Sequence, residues 1–163
     1  MRQVSTMFLK VIIIAMTIPV LFLGLYVLPK MAGGAFGFVT DGDSIGYAIL
    51  GIVLVMYVTA VPFCLALYQT VKLLTYIEKD QAFSQVAVTA LTKVKNYAKI
   101  ISGLYVLTLP MLYIVAEWDD APGVIVIGIV IIGASFSIAV FASVLQRLLQ
   151  KAIDYKEEND LTV

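Results

Sequence analysis

Four stretches of this chain contain no Asp, Glu, Lys or Arg at all: residues 11–29, 44–71, 100–116 and 121–146. About 20 consecutive apolar residues let an α-helix cross the hydrocarbon of a bilayer. The pattern therefore predicts an all-α protein, a bundle of four transmembrane helices forming a single membrane domain over residues 1–163. The helices are expected over about 9–28, 45–74, 84–116 and 122–158. Between the first two, Gly33-Gly34, Gly37 and Asp41-Gly42-Asp43 predict a flexible, turn-rich loop from Lys30 to Ser44.

The polar breaks refine this outline. Pro19 and Pro62 lie inside the first and second helices, where neighbours can satisfy the carbonyls they free. Glu78-Lys79-Asp80-Gln81 is a polar connection, and Phe83-Ser84 opens the third helix. Ser84 suits an N-cap whose hydroxyl accepts from an orphaned backbone N–H, with Phe83 and Val88 at the positions of a hydrophobic staple. Val86, Ala90, Leu91, Val94, Tyr97, Ala98 and Ile101 then recur at helical spacing, with Lys93, Lys95 and Lys99 between them. The third helix is thus expected to start outside the hydrocarbon and enter it near Lys99, its lysines snorkelling to the interface. Glu117 to Gly123 is a tight acidic turn, in which Pro122 suits the first turn of the fourth helix. An apolar stripe of Val144, Leu145, Leu148, Leu149, Ala152 and Ile153 carries that helix past residue 146 into the aqueous phase. A short, flexible, extended tail is expected over 159–163.

Composition agrees with a membrane protein. The chain is 61% hydrophobic and 13% charged, against about one half and one quarter in soluble domains. Eleven basic and eleven acidic side chains cancel, so no global field favours direct nucleic-acid binding. There is no histidine, the commonest general base and metal ligand, and Cys64 is the only cysteine. No cofactor, metal or catalytic set is expected. Residues 11–28 exceed a signal-peptide core and lead into Pro29-Lys30, so they read as a retained helix.

Charge also orients the helices. Arg2, Lys10, Lys72, Lys79, Lys93, Lys95, Lys99, Arg147, Lys151 and Lys156 fall on one side of a four-span topology, and Lys30 alone falls on the other. The positive-inside rule then places both termini in the cytoplasm, with the third and fourth helices extended into it. Tyr26, Tyr47, Tyr113 and Trp118 mark the outer boundary, and Tyr76 and Tyr97 the inner one.

Three groups of residues are candidates for function. Asp41, Asp43, Glu117, Asp119 and Asp120 make the outer face acidic, which could draw a hard cation or a cationic peptide. The same pattern follows simply from outer loops being poor in Lys and Arg. On the cytoplasmic side, Lys93, Lys95, Lys99, Leu148, Leu149 and Ile153 form a candidate interaction surface. The apolar stripe there can receive a partner helix, or pack on the start of the third helix in the same molecule. The lysines alone also fit contact with anionic lipid. Ser135, Ala139 and Ser143 make a small-residue ladder that serves either internal packing or a homo-oligomer. No ionisable group lies within the spans, which argues against a proton-coupled carrier.

Ala82-Phe83-Ser84, the turn Asp119 to Gly123, the run Phe141 to Leu149 and above all the terminal Glu158-Asn159-Asp160-Leu161-Thr162-Val163 carry a resemblance. Over nearly its whole length the chain resembles the bacterial membrane family called domain of unknown function 2975. That family has no established catalytic residues. The resemblance implies a multi-pass protein of the bacterial plasma membrane. It also implies a possible cytoplasmic partner, because family members are often encoded beside small helix-turn-helix regulators. The expectation is a non-enzymatic sensory or regulatory membrane protein. The alternative is a small transport or toxin-immunity component.

Overall fold

A computed structural model describes residues 2–162, and all the secondary structure among them is helical. The first span comprises α1 (Arg2–Phe22), a π-helical turn (Leu23–Val27) and α2 (Leu28–Thr40). It is followed by α3 (Ser44–Glu78), α4 (Gln85–Trp118) and α5 (Gly123–Leu161). Four helical rods are thus long and apolar enough to cross a bilayer.

The glycine-rich segment differs from expectation. Gly33, Gly34 and Gly37 are helical, and the turn shrinks to Asp41–Asp43. Each glycine weakens a helix by about 1 kcal/mol in water. Packing against α3 offsets that cost. A Cβ on Gly46 of α3 would lie 2.7 Å from the Val39 nitrogen and 2.8 Å from the Ala35 carbonyl oxygen, so α2 and α3 touch backbone to backbone.

The break that does occur is a Schellman cap. Gly42 takes φ 85°, the Asp43 N–H donates to the Phe38 carbonyl (2.9 Å) and the Gly42 N–H to that of Val39 (3.1 Å). The same closure ends α3 and α4, with Asp80 (φ 57°) and Asp120 (φ 50°) in glycine's place. Gln81 N–H donates to Tyr76, and Ala121 N–H to Ala116.

Other boundaries shift for similar reasons. Helix α3 continues four residues beyond Leu74, to Glu78. Ser84 is extended and caps α4 as expected, but its hydroxyl donates backwards to the Gln81 carbonyl and accepts no helical N–H. Val88 is buried while Phe83 is exposed. The residues expected as an extended tail are helical through Leu161, and the Thr162 hydroxyl donates to the Glu158 carbonyl (2.8 Å). Val163 lies outside the described residues.

The helices pack in chain order: α1 and α2 on α3, α3 on α4, and α4 on α5. Small side chains fill the contacts, among them Ala87, Ala90, Ala98, Ala116, Ala139 and Ala142. That choice suits helices in lipid, where close backbone approach replaces hydrophobic exclusion from water. Phe136, Phe141, Leu107, Leu25 and many other large apolar side chains face outward, as a lipid-facing surface requires. At about 1.5 Å per residue, α4 and α5 are about 51 and 58 Å long, against about 30 Å of hydrocarbon. Their surplus carries Lys93, Lys95, Arg147 and Lys151, so it lies at the basic end, together with the described start of α1.

Candidate functional site

The basic end is where the chain departs most from a plain bundle. Three polar side chains lock α1 to α3 there. Glu78 accepts from the Thr6 hydroxyl (2.6 Å) and pairs with Lys10, whose Nζ is 2.7 Å from Oε2. Thr6 and Lys10 are one helical turn apart, so both face α3. The sequence pattern assigns Glu78 to the polar connection, whereas it is the last residue of α3. The signal for its role was the Thr6/Lys10 spacing at the start of an otherwise apolar helix.

Next to this clasp, the end of α3, the turn Lys79–Ser84 and α5 enclose an apolar groove of about 350 Å³. Leu73, Ile77, Phe83, Leu145, Leu148 and Leu149 line it, with Leu91 of α4 also in its wall. Leu148 and Phe83 are each about 60% exposed, and Tyr155 and Leu161 lie bare farther along α5. The six residues singled out on this face therefore separate. Leu148 and Leu149 line the groove, while Lys93 and Lys99 are exposed on α4. Lys95 is half-buried and its Nζ donates to the Gln146 side-chain oxygen at 3.0 Å, joining α4 to α5. Ile153 is only 7% exposed and is core: it lies on the stripe by spacing, but packing within the molecule covers it.

At the opposite end the acidic residues do not assemble. Among the described residues, no three of Asp, Glu and Cys converge on a point that could hold a metal ion. Asp41 and Asp43 belong to one turn and Asp119 and Asp120 to the other, while Glu117 accepts from the Tyr113 hydroxyl at 2.7 Å. The two turns are tied by an edge-on contact of Phe38 with Trp118, ring centroids 6.4 Å apart.

Within the spans, hydroxyls serve the helices. Thr17, Thr59, Thr70, Thr108, Ser135 and Ser137 each donate to a carbonyl of their own helix. Ser102 reaches across to the Ile132 carbonyl at 3.5 Å. Ser135 and Ala139 of the small-residue ladder are buried, and Ser143 is half-buried. Between the π-turn, α3, α4 and α5 lies an apolar cavity of about 240 Å³, bordered by Gly24, Tyr57, Phe63 and Tyr105.

Comparison with known proteins agrees with this architecture. Residues 15–163 match the family described as Protein of unknown function (DUF2975). The chain belongs to that family. It is also 49% identical over 163 residues, covering all of both chains, to a Bacillus subtilis (strain 168) protein called "Uncharacterized membrane protein YoaS". No solved structure matches the chain. This DUF2975 member is thus a multi-pass membrane protein.

Proposed function

We propose that this family member is a small non-enzymatic regulatory protein of the bacterial plasma membrane, with both termini in the cytoplasm. Its basic end would hold a cytoplasmic partner, a small helix-turn-helix transcriptional regulator. The observation that carries this reading is the groove beside α5, with Leu148 and Phe83 exposed on its walls and the bare end of α5 running on beyond it. A groove of that kind suits the apolar face of an amphipathic helix. Ten of the eleven basic residues cluster at the same end, which supports its cytoplasmic placement. The nature of the partner rests on the family resemblance.

The test is affinity capture of the full-length protein from its native membranes. Recovery of a helix-turn-helix regulator, and its loss on Leu148→Arg, is the expected result. An intact protein that recovers no such regulator contradicts the reading.

A further inference from the structure

The opposite side of the α4–α5 pair carries a second groove, of about 270 Å³, which the partner reading does not use. Lys99 and Arg147 stand at it with Ser143, and Phe136, Val140 and Val144 supply its apolar wall. Each cation is the first charge met on leaving an apolar run, since residues 100–116 of α4 and 121–146 of α5 carry none. The two charges therefore share one depth, that of the lipid headgroups. Helical side chains tilt toward the helix N-terminus, so Lys99 of α4 leans toward the basic end while Arg147 of antiparallel α5 leans back along the groove, and both line it. The apolar residues lie on the other side, toward the bilayer interior.

Both cations are exposed, and neither pairs with an acidic side chain among the described residues. Ser135 and Ser137 donate to helix carbonyls, whereas Ser143 makes no hydrogen bond within the described chain. One groove thus presents two like charges and a free hydroxyl at its aqueous end and a hydrocarbon wall above them. We propose that this groove binds one anionic phospholipid of the leaflet at the basic end. The phosphodiester would sit between Lys99 and Arg147, with Ser143 as a further donor, and one acyl chain would lie along Phe136 and Val140. A zwitterionic lipid fits less well, because its own cation would meet two others. The proposal stands apart from the partner reading, and either can fail alone.

Full-length protein in neutral detergent, titrated with phosphatidylglycerol, phosphatidylcholine or inorganic phosphate, tests it by native mass spectrometry and by thermal unfolding. Phosphatidylglycerol should be retained preferentially, by about fivefold per cation and about 25-fold for the pair. K99Q/R147Q should remove the preference, K93Q/K151Q should keep it although it deletes as much charge, and V140W should displace the lipid by filling the groove. If K99Q/R147Q does not fold, the wild-type preference and V140W decide. Equal retention of both lipids, equal loss in the two double variants, retention undiminished in V140W, or a shift reproduced by phosphate alone would overturn the proposal.

Discussion

The Tyr57 hydroxyl donates to the Gly24 carbonyl at 2.7 Å, and this bond replaces one that a proline removes. In the π-turn Leu23–Val27 the Leu28 N–H reaches back five residues to the Leu23 carbonyl. The next carbonyl in that register is Gly24, and its donor would be residue 29. Pro29 has no N–H. In hydrocarbon an orphaned carbonyl is expensive, and a phenol from α3 supplies the missing proton.

Tyr57→Phe should therefore destabilise the protein by about 0.5–2 kcal/mol, the range for interhelical hydrogen bonds in membranes. The informative comparison is made in Pro29→Ala, which restores a backbone donor. There the Tyr57→Phe penalty should shrink toward zero. Unfolding of the four proteins in mixed micelles with rising SDS measures this coupling, and additive penalties would contradict the account.

The close approach of α2 and α3 separates glycines that matter from glycines that do not. Gly46→Ala pushes a Cβ against backbone atoms of Ala35 and Val39 that cannot give way, and should cost about 1–3 kcal/mol. Gly33 and Gly34 have open space at their Cβ positions. Replacing either with alanine should be neutral or stabilise by up to about 1 kcal/mol. The same SDS titration distinguishes the two classes.

Asp120 occupies the left-handed position that closes α4. Asp120→Gly relieves that backbone and should raise stability by about 1 kcal/mol, whereas β-branched Asp120→Val should lower it by at least as much. If the two changes act alike, the carboxylate and not the backbone governs this turn.

The Thr6–Lys10–Glu78 clasp fixes where the start of α1 docks, since α3 is the long helix against which the described part of α1 packs. Glu78→Ala should release that segment, seen as faster amide exchange over residues 4–15 with α4 and α5 unaffected. Lys10→Glu should do the same, and Lys10→Glu/Glu78→Lys should restore protection. Unchanged exchange in the single variants would remove the clasp from the account.

How much of this was legible in the sequence follows from what each feature depends on. The spans were visible because charge-free length is a one-dimensional property that only a membrane demands. The third-helix start at Ser84 was visible through local signals, whereas its hydroxyl's choice of Gln81 depended on the shape of the preceding turn. The segment containing Gly33, Gly34 and Gly37 misled because glycine's cost is set for an isolated helix in water, and here close packing on the α3 backbone offsets it. Ile153 fitted the stripe by spacing, but which residues of a stripe are covered depends on the neighbouring helix. Glu78 and Tyr57 were missed for a common reason: their partners lie 68 and 33 residues away, and no local pattern announces them.

Four crossings with the basic end in the cytoplasm underlie the proposed function. A paired reporter measures this directly, using green fluorescent protein or alkaline phosphatase fused after Val163, and the same phosphatase inserted between Asp119 and Asp120. The terminal fusion should fluoresce and lack phosphatase activity, while the insertion in the α4–α5 turn should be phosphatase-active. An active phosphatase after Val163, or both positions reporting the same side, would contradict it.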